Sequence, residues 1–217
     1  MIVICLLTYE RTEYAIRTIR AAQNLTCEEG FAWYVADDGS RPEHFHMVLN
    51  ELQFYGAHVI GAHSDRQGYG AMANVAWKAA NELTDLTFWL EDDWELEAPF
   101  DLTAYANLVR DEGMHVGMCR LGYLNMEMEG KVFSHGGRLY WRLNRDCNSY
   151  VFTGHPALRN RAFYEAYGEY PVGLKPGDTE LGYAVQYRNR AGPDIVWPAG
   201  LGERSPFGHI GTVKSYE

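Results

Sequence analysis

Leu86 to Leu90 is an apolar run broken only by Thr87, and it stops in three consecutive acids, Glu91, Asp92 and Asp93. A run of this length and composition reads as a buried strand. Carboxylates crowded at a strand's carboxyl end repel one another unless a cation lies between them or water solvates them. Hard divalent ions such as Mg²⁺ and Mn²⁺ prefer oxygen ligands and leave positions open for water and phosphate oxygens. The plainer reading is a solvated acidic turn opening the next element, since short acidic motifs recur without function.

The same punctuation occurs earlier in the chain. Ile2 to Leu7 is strand-like and breaks at Thr8 to Arg11, after which Ala15, Ile19 and Ala22 fall on one helical face. Phe31 to Ala36 is a second strand-like run, and it ends in Asp37-Asp38-Gly39-Ser40. Strands that break into polar residues, with helices between them, describe an open α/β sheet, in which ligands bind at the carboxyl ends of the strands. The turns at Thr8, Asp38 and Asp93 then share one edge.

Further along, Pro42 to Ala57 has a helical pattern and His58 to Ala62 a short strand pattern. Gly68-Tyr69-Gly70 is a turn, and Ala71 to Leu83 a helix rich in small residues. Phe100 to Val109 reads as helix, Val116 to Leu121 as extended, and Lys131 to Leu143 as strands or a hairpin. Arg161 to Tyr167 and Thr179 to Arg190 read as helices. Regular alternation followed by mixed structure suggests a nucleotide-binding half, 1–93, and an acceptor-binding half, 94–217, within a single domain.

The composition narrows the function classes. A net charge of −10 argues against a broad basic nucleic-acid footprint. No apolar run approaches the ~20 residues of a membrane span. The opening MIVICLLTYER lacks a basic region before its apolar residues and reads as a buried strand, not a signal peptide. Cys5, Cys27, Cys119 and Cys147 show no C-x-x-C pairing, so reduced, structural thiols and a cytoplasmic location are expected, with a disulfide left open.

The segments TYER, VADDGS, RQGYGAMANVAW, LEDDWEL, FTGHPALRNRAFYEAYGEYP, PGDTELGY and HIG, in this order, resemble the GT-A fold glycosyltransferases of the large inverting family 2. The resemblance runs from Ile2 to about Gly211. It implies an open, twisted, mixed sheet flanked by helices, and a divalent cation, Mn²⁺ or Mg²⁺, working with a nucleotide-diphosphate sugar donor. Residue by residue, it implies that Thr8 and Asp38 contact the base or ribose, with Tyr9 and Arg11 completing that wall and Arg66 and Gln67 nearby. Asp38 is expected to favour a pyrimidine by accepting from a ring N–H. Glu91 and Asp93 hold the outer positions of the family's D-x-D metal motif, here with Glu in place of the first Asp. Asp92 then faces the ribose or sugar, and His209 joins the metal or the diphosphate.

The catalytic base implied is Asp178, at the aspartate of the family's E-D-T-x-L, although Gly177 replaces the preceding Glu. Glu180 is the alternative base, and an N-capping role for Asp178 is the structural alternative. Gly154, Arg159 and Arg161 fall on the acceptor side, with His155, Trp141, Tyr140 and Trp94 as aromatic contacts for sugar. The acceptor is an unknown hydroxyl-bearing molecule: glycan, lipid-linked sugar, protein or modified nucleobase. Two other classes stand beside this one, a sugar nucleotidyltransferase and a noncatalytic nucleotide- or carbohydrate-binding module. The nucleotidyltransferase class carries a glycine-rich, basic loop after the first strand, where this chain has TYERTEY.

Overall fold

The computed structural model describes residues 1–124, 127–199 and 205–211. Its strands are Ile2–Thr8 (β1), Leu25–Thr26 (β2), Phe31–Asp37 (β3), Val59–Ser64 (β4), Leu86–Glu91 (β5), Trp94–Leu96 (β6), Phe100–Asp101 (β7), Val116–Arg120 (β8), Gly130–His135 (β9), Arg138–Leu143 (β10), Ala157–Asn160 (β11), Asp194–Pro198 (β12) and Phe207–His209 (β13). Its α-helices are Thr12–Ala22 (α1), Pro42–Phe54 (α2), Tyr69–Leu83 (α3), Thr103–Arg110 (α4), Arg161–Tyr167 (α5) and Pro176–Asn189 (α6).

The apolar runs become the middle of a nine-stranded sheet of order β4-β3-β1-β5-β11-β8-β12-β10-β9. β4, β3, β1 and β5 run parallel, whereas β11 is antiparallel to both of its neighbours, β5 and β8. β1 is buried along its whole length, as a strand covered on both faces must be. Its side chains alternate between the two sides. Ile2, Ile4 and Leu6 meet Ile19 of α1, Val48 of α2 and Leu108 of α4 in one core. Val3, Cys5 and Leu7 join Trp77 of α3, Phe163 of α5 and Tyr183 of α6 in the other. The mixed sheet flanked by helices is the arrangement expected from the sequence, and β5–β11 pairing makes one sheet of the two halves.

Several details differ from the sequence reading: α3 begins at Tyr69, so only Gly68 of the expected turn precedes it. α4 begins at Thr103, because Phe100–Asp101 pairs in parallel with Leu25–Thr26 and Asp101 Oδ1 caps the Thr103 N–H at 3.1 Å. α6 begins at Pro176, a residue whose fixed φ suits the first helical position. Asp178 therefore lies inside the first turn of α6 and is not its cap, which is Lys175. β11 and β12, central to the sheet, do not stand out in the sequence as strands. Among the described residues, all four cysteines are free thiols, and no helix is long and apolar enough to cross a membrane.

Candidate nucleotide and metal site

The carboxyl ends of β1, β3 and β5 open into a cavity of about 570 Å³. Parallel pairing puts Thr8 beside Asp37 and Leu7 beside Glu91, so the polar turns that end these strands meet there. Thr8, Tyr9 and Arg11 line the cavity from the first turn, Asp38 from the second, and Glu91, Asp92 and Asp93 from the third. Arg66 and Gly68 close one side, while Gly173, Leu174, Lys175 and Pro176 lead into α6 on another. His209 comes from β13.

Each acid of the run has a different partner set. Asp92 is fully buried; its Oδ2 accepts from Thr8 Oγ1 at 2.9 Å and from the Tyr9 N–H at 3.2 Å, and its Oδ1 accepts from Arg11. Burial raises its pKa to about 7, with the Arg11 charge opposing the rise. Asp93 Oδ2 accepts from Arg11 Nη1 at 2.7 Å and lies 3.3 Å from His209 Nε2. Burial works against ionisation of Asp93, but the His209 hydrogen bond and the Arg11 charge outweigh it and hold the carboxyl below its ordinary value. The same bond raises the His209 pKa. Glu91 turns elsewhere: its Oε1 accepts from the Tyr69 hydroxyl at 2.6 Å. Burial, then the charges of Glu180 and Asp93, push the Glu91 pKa well up.

β13 reaches Asp93 by a local clamp. β6 continues the chain directly past the acids, and β13 pairs with it antiparallel, His209 opposite Trp94. The Ile210 N–H donates to the Asp93 carbonyl at 2.8 Å. A Cβ on Gly211 would overlap the Asp93 carboxylate, so only glycine lets this segment lie so close. A Cβ on Gly154 would likewise overlap Glu91 and the Tyr69 hydroxyl.

Asp38 serves the loop that follows β4. Its Oδ1 accepts from the Gln67 N–H at 2.9 Å and the Gly68 N–H at 2.7 Å, and its Oδ2 pairs with Arg66 at 3.2 Å. Arg66 in turn lies over the Tyr9 ring, 4.0 Å from its centroid. These contacts gather Tyr9, Asp38, Arg66 and Gln67 into one wall.

Of the residues expected to share a metal, the structure brings Asp93 and His209 together and leaves Glu91 with Tyr69. Among the described residues, no group of three His, Cys, Asp or Glu side chains forms a metal cage. Asp93 Oδ1 is nevertheless buried with no hydrogen-bond partner among those residues. Asp178 is exposed and does not line the cavity, although Pro176, two positions earlier, does. Glu180 points inward and accepts from the Gly154 N–H, and burial raises its pKa. Trp94 and His155 pack together, with ring centroids 4.6 Å apart, whereas Tyr140 is a core residue of β10 and Trp141, partly buried, packs against the second core.

His44 was not singled out by the sequence reading, and it ties β1, α1 and β3 together at the carboxyl edge of the sheet. It is buried, with Nε2 2.8 Å from Thr8 Oγ1, Nδ1 2.9 Å from Thr12 Oγ1, and Asp37 3.5 Å away. The signal was its place on the helical face of Val48 and Leu52, four and eight positions on. Arg120 was not singled out either, and Arg159, expected on the acceptor side, is instead buried in the core. Arg120 bonds the Tyr150 and Val151 carbonyls, and Arg159 bonds the Tyr170 hydroxyl and lies 4.5 Å from the Trp89 ring centroid.

No family model matches the chain, and no curated relative matches it. Solved structures do. TarS of S. aureus superposes with a TM-score of 0.69 at 13% identity, covering 99% of this chain and 37% of that one. GalNAc-T7 with UDP, GalNAc and Mn²⁺ gives 0.67 at 15% identity, covering 98% of this chain and 44% of that one. The mannosyltransferase PcManGT from Pyrobaculum calidifontis, in complex with GDP-Man and Mn²⁺, gives 0.63 at 13% identity, covering 91% and 54%. The chain thus spans between 37% and 54% of the length of these proteins. Nearly the whole of this chain superposes on them, and its fold is the GT-A fold of glycosyltransferases.

Proposed function

We propose that the chain is a glycosyltransferase that moves a sugar from a nucleoside diphosphate sugar to an acceptor hydroxyl, with inversion at the anomeric carbon. One observation carries the reading: a cavity of about 570 Å³ joins the Thr8, Asp38 and Arg66 wall to the acid run. Similar folds hold a nucleotide sugar with Mn²⁺ in PcManGT and UDP, GalNAc and Mn²⁺ in GalNAc-T7. Tyr9 and Arg66 offer stacked faces to a base, and Asp38 holds the loop that carries Arg66. Thr8 and Asp92 fix the turn that carries Tyr9 and Arg11.

A divalent ion fits at Asp93 and His209, where one buried carboxylate oxygen lacks a partner among the described residues and an imidazole stands beside it. When bound there, the ion offsets charge that builds on the leaving diphosphate. Asp178 is the proposed base. It is exposed in the first turn of α6, beside the cavity-lining Pro176, where an acceptor arriving from solvent reaches it. A second reading gives the role to Glu180, favoured by its place inside the acid cluster and by a pKa that burial raises from 4.5.

Titration calorimetry of UDP and GDP, with Mn²⁺ and with chelator, tests the binding half of the proposal. The wild type should bind at least one diphosphate, more tightly with Mn²⁺. Asp93→Asn should lose the Mn²⁺-dependent increment while remaining folded. An unchanged increment in the folded variant sinks the Asp93 assignment, and absence of binding in every arm sinks the function.

A further inference from the structure

The acid run already holds a cation that belongs to the chain. Arg11 reaches between two neighbouring carboxylates, donating from Nη1 to Asp93 Oδ2 at 2.7 Å and from Nη2 to Asp92 Oδ1. Both oxygens of Asp92 are engaged, because Thr8 and Tyr9 take the other one. Asp92 is therefore committed to holding the turn and Arg11, and Asp93 keeps one unpartnered oxygen among the described residues. A guanidinium has five N–H donors; these two bonds and the buried Nε–H leave one N–H on each Nη for a ligand. The Arg11 side chain is 19% exposed, and it lines the cavity. A surface arginine would lose rotamer freedom to meet a ligand, but this one is fixed in advance.

We propose that Arg11 is a resident cation of the diphosphate site. Held by Asp92 and Asp93, it donates to phosphate oxygens directly, so a nucleoside diphosphate binds without a divalent ion. It also competes with that ion for Asp93. The inference rests on the reading that the cavity takes a nucleoside diphosphate. Its physical basis is charge. A diphosphate placed beside Glu91, Asp92 and Asp93 meets repulsion unless a cation is already there, and a planar guanidinium matches phosphate oxygens in pairs.

Calorimetry of UDP and GDP in chelator, on wild type, Arg11→Met and Arg11→Lys, tests it, together with spin-resonance titration of Mn²⁺ alone. The wild type should bind one diphosphate in chelator. Arg11→Met should weaken that binding by about tenfold or more, as loss of a charged hydrogen-bond donor does. Arg11→Lys, which keeps the charge and loses the fork, should fall between them. Arg11→Met should also bind Mn²⁺ alone more tightly than the wild type. Binding seen only with Mn²⁺, or equal binding by wild type and Arg11→Met in chelator, overturns the proposal and leaves the proposed function standing. No binding in any arm overturns both. If Arg11→Met does not fold, the wild-type chelator arm and Arg11→Lys still decide.

Discussion

At the residue scale, the site is a division of labour among carboxylates that look alike in the sequence. Glu91, Asp92 and Asp93 are adjacent, yet Tyr69 takes the first, Thr8 and Arg11 the second, and Arg11 with His209 the third. Asp178 and Glu180 differ in the same way, one exposed and one turned toward Gly154. A general base typically contributes ~10²–10⁴-fold, and its loss affects the transition state more than donor binding. Asp178→Asn should therefore lower transfer by about that factor while leaving calorimetric donor affinity within about twofold. If Glu180→Gln shows that pattern instead, Glu180 is the base. Proton NMR of the product checks the stereochemistry, and a retained anomeric configuration rejects inversion. The strand-end acids were legible in the sequence because each breaks an apolar run. His44 was not, because a histidine on an apolar helical face looks like any half-buried residue until the Thr8 and Thr12 hydroxyls are placed around its ring.

At the element scale, small residues set how closely helices approach the segments packed on them. Gly70, in the first turn of α3, faces the Pro171 carbonyl, and a Cβ there would overlap that oxygen. Alanine is the better helix former by about 1 kcal/mol. Backbone on the far side cannot rotate away, so overpacking, at about 1–3 kcal/mol, outweighs the gain. Gly70→Ala should lower Tm by several degrees, at about 2–4 °C per kcal/mol for a chain of this size. A rise in Tm would mean that the 171–175 segment yields freely. The first-half elements were readable because parallel strands buried on both faces are unbroken apolar runs. β11 was not, since Ala157–Asn160 is four residues long and carries Arg159 and Asn160, polar groups whose partners, among them Tyr170, Thr153, Val109 and Val116, lie outside that stretch of chain. β6 and β13, three residues each, depend on each other for pairing and leave little periodic trace.

At the scale of the whole molecule, burying acids together makes stability depend on pH. Glu91, Asp92 and Glu180 all have pKa values raised by burial, Asp92 from 3.8 to about 7. The folded state then binds more protons than the unfolded chain between the two values, so stability falls as pH rises through that window. Tm without metal should be higher at pH 5 than at pH 8. Glu180→Gln removes one such group and should flatten the fall; a slope unchanged in the variant would show that Glu180 ionises as freely folded as unfolded. The same assembly has a history in time. His209 and Asp93 are 116 positions apart, while Arg11 precedes both acids it holds. At ~5–20 residues per second, a ribosome makes His209 on the order of ten seconds after Asp93. Through that interval the nascent strand end carries its acids with Arg11 already present to neutralise them, and the imidazole that completes the pair arrives last. A translational pause within that stretch would leave the arginine as the early guardian of the acids.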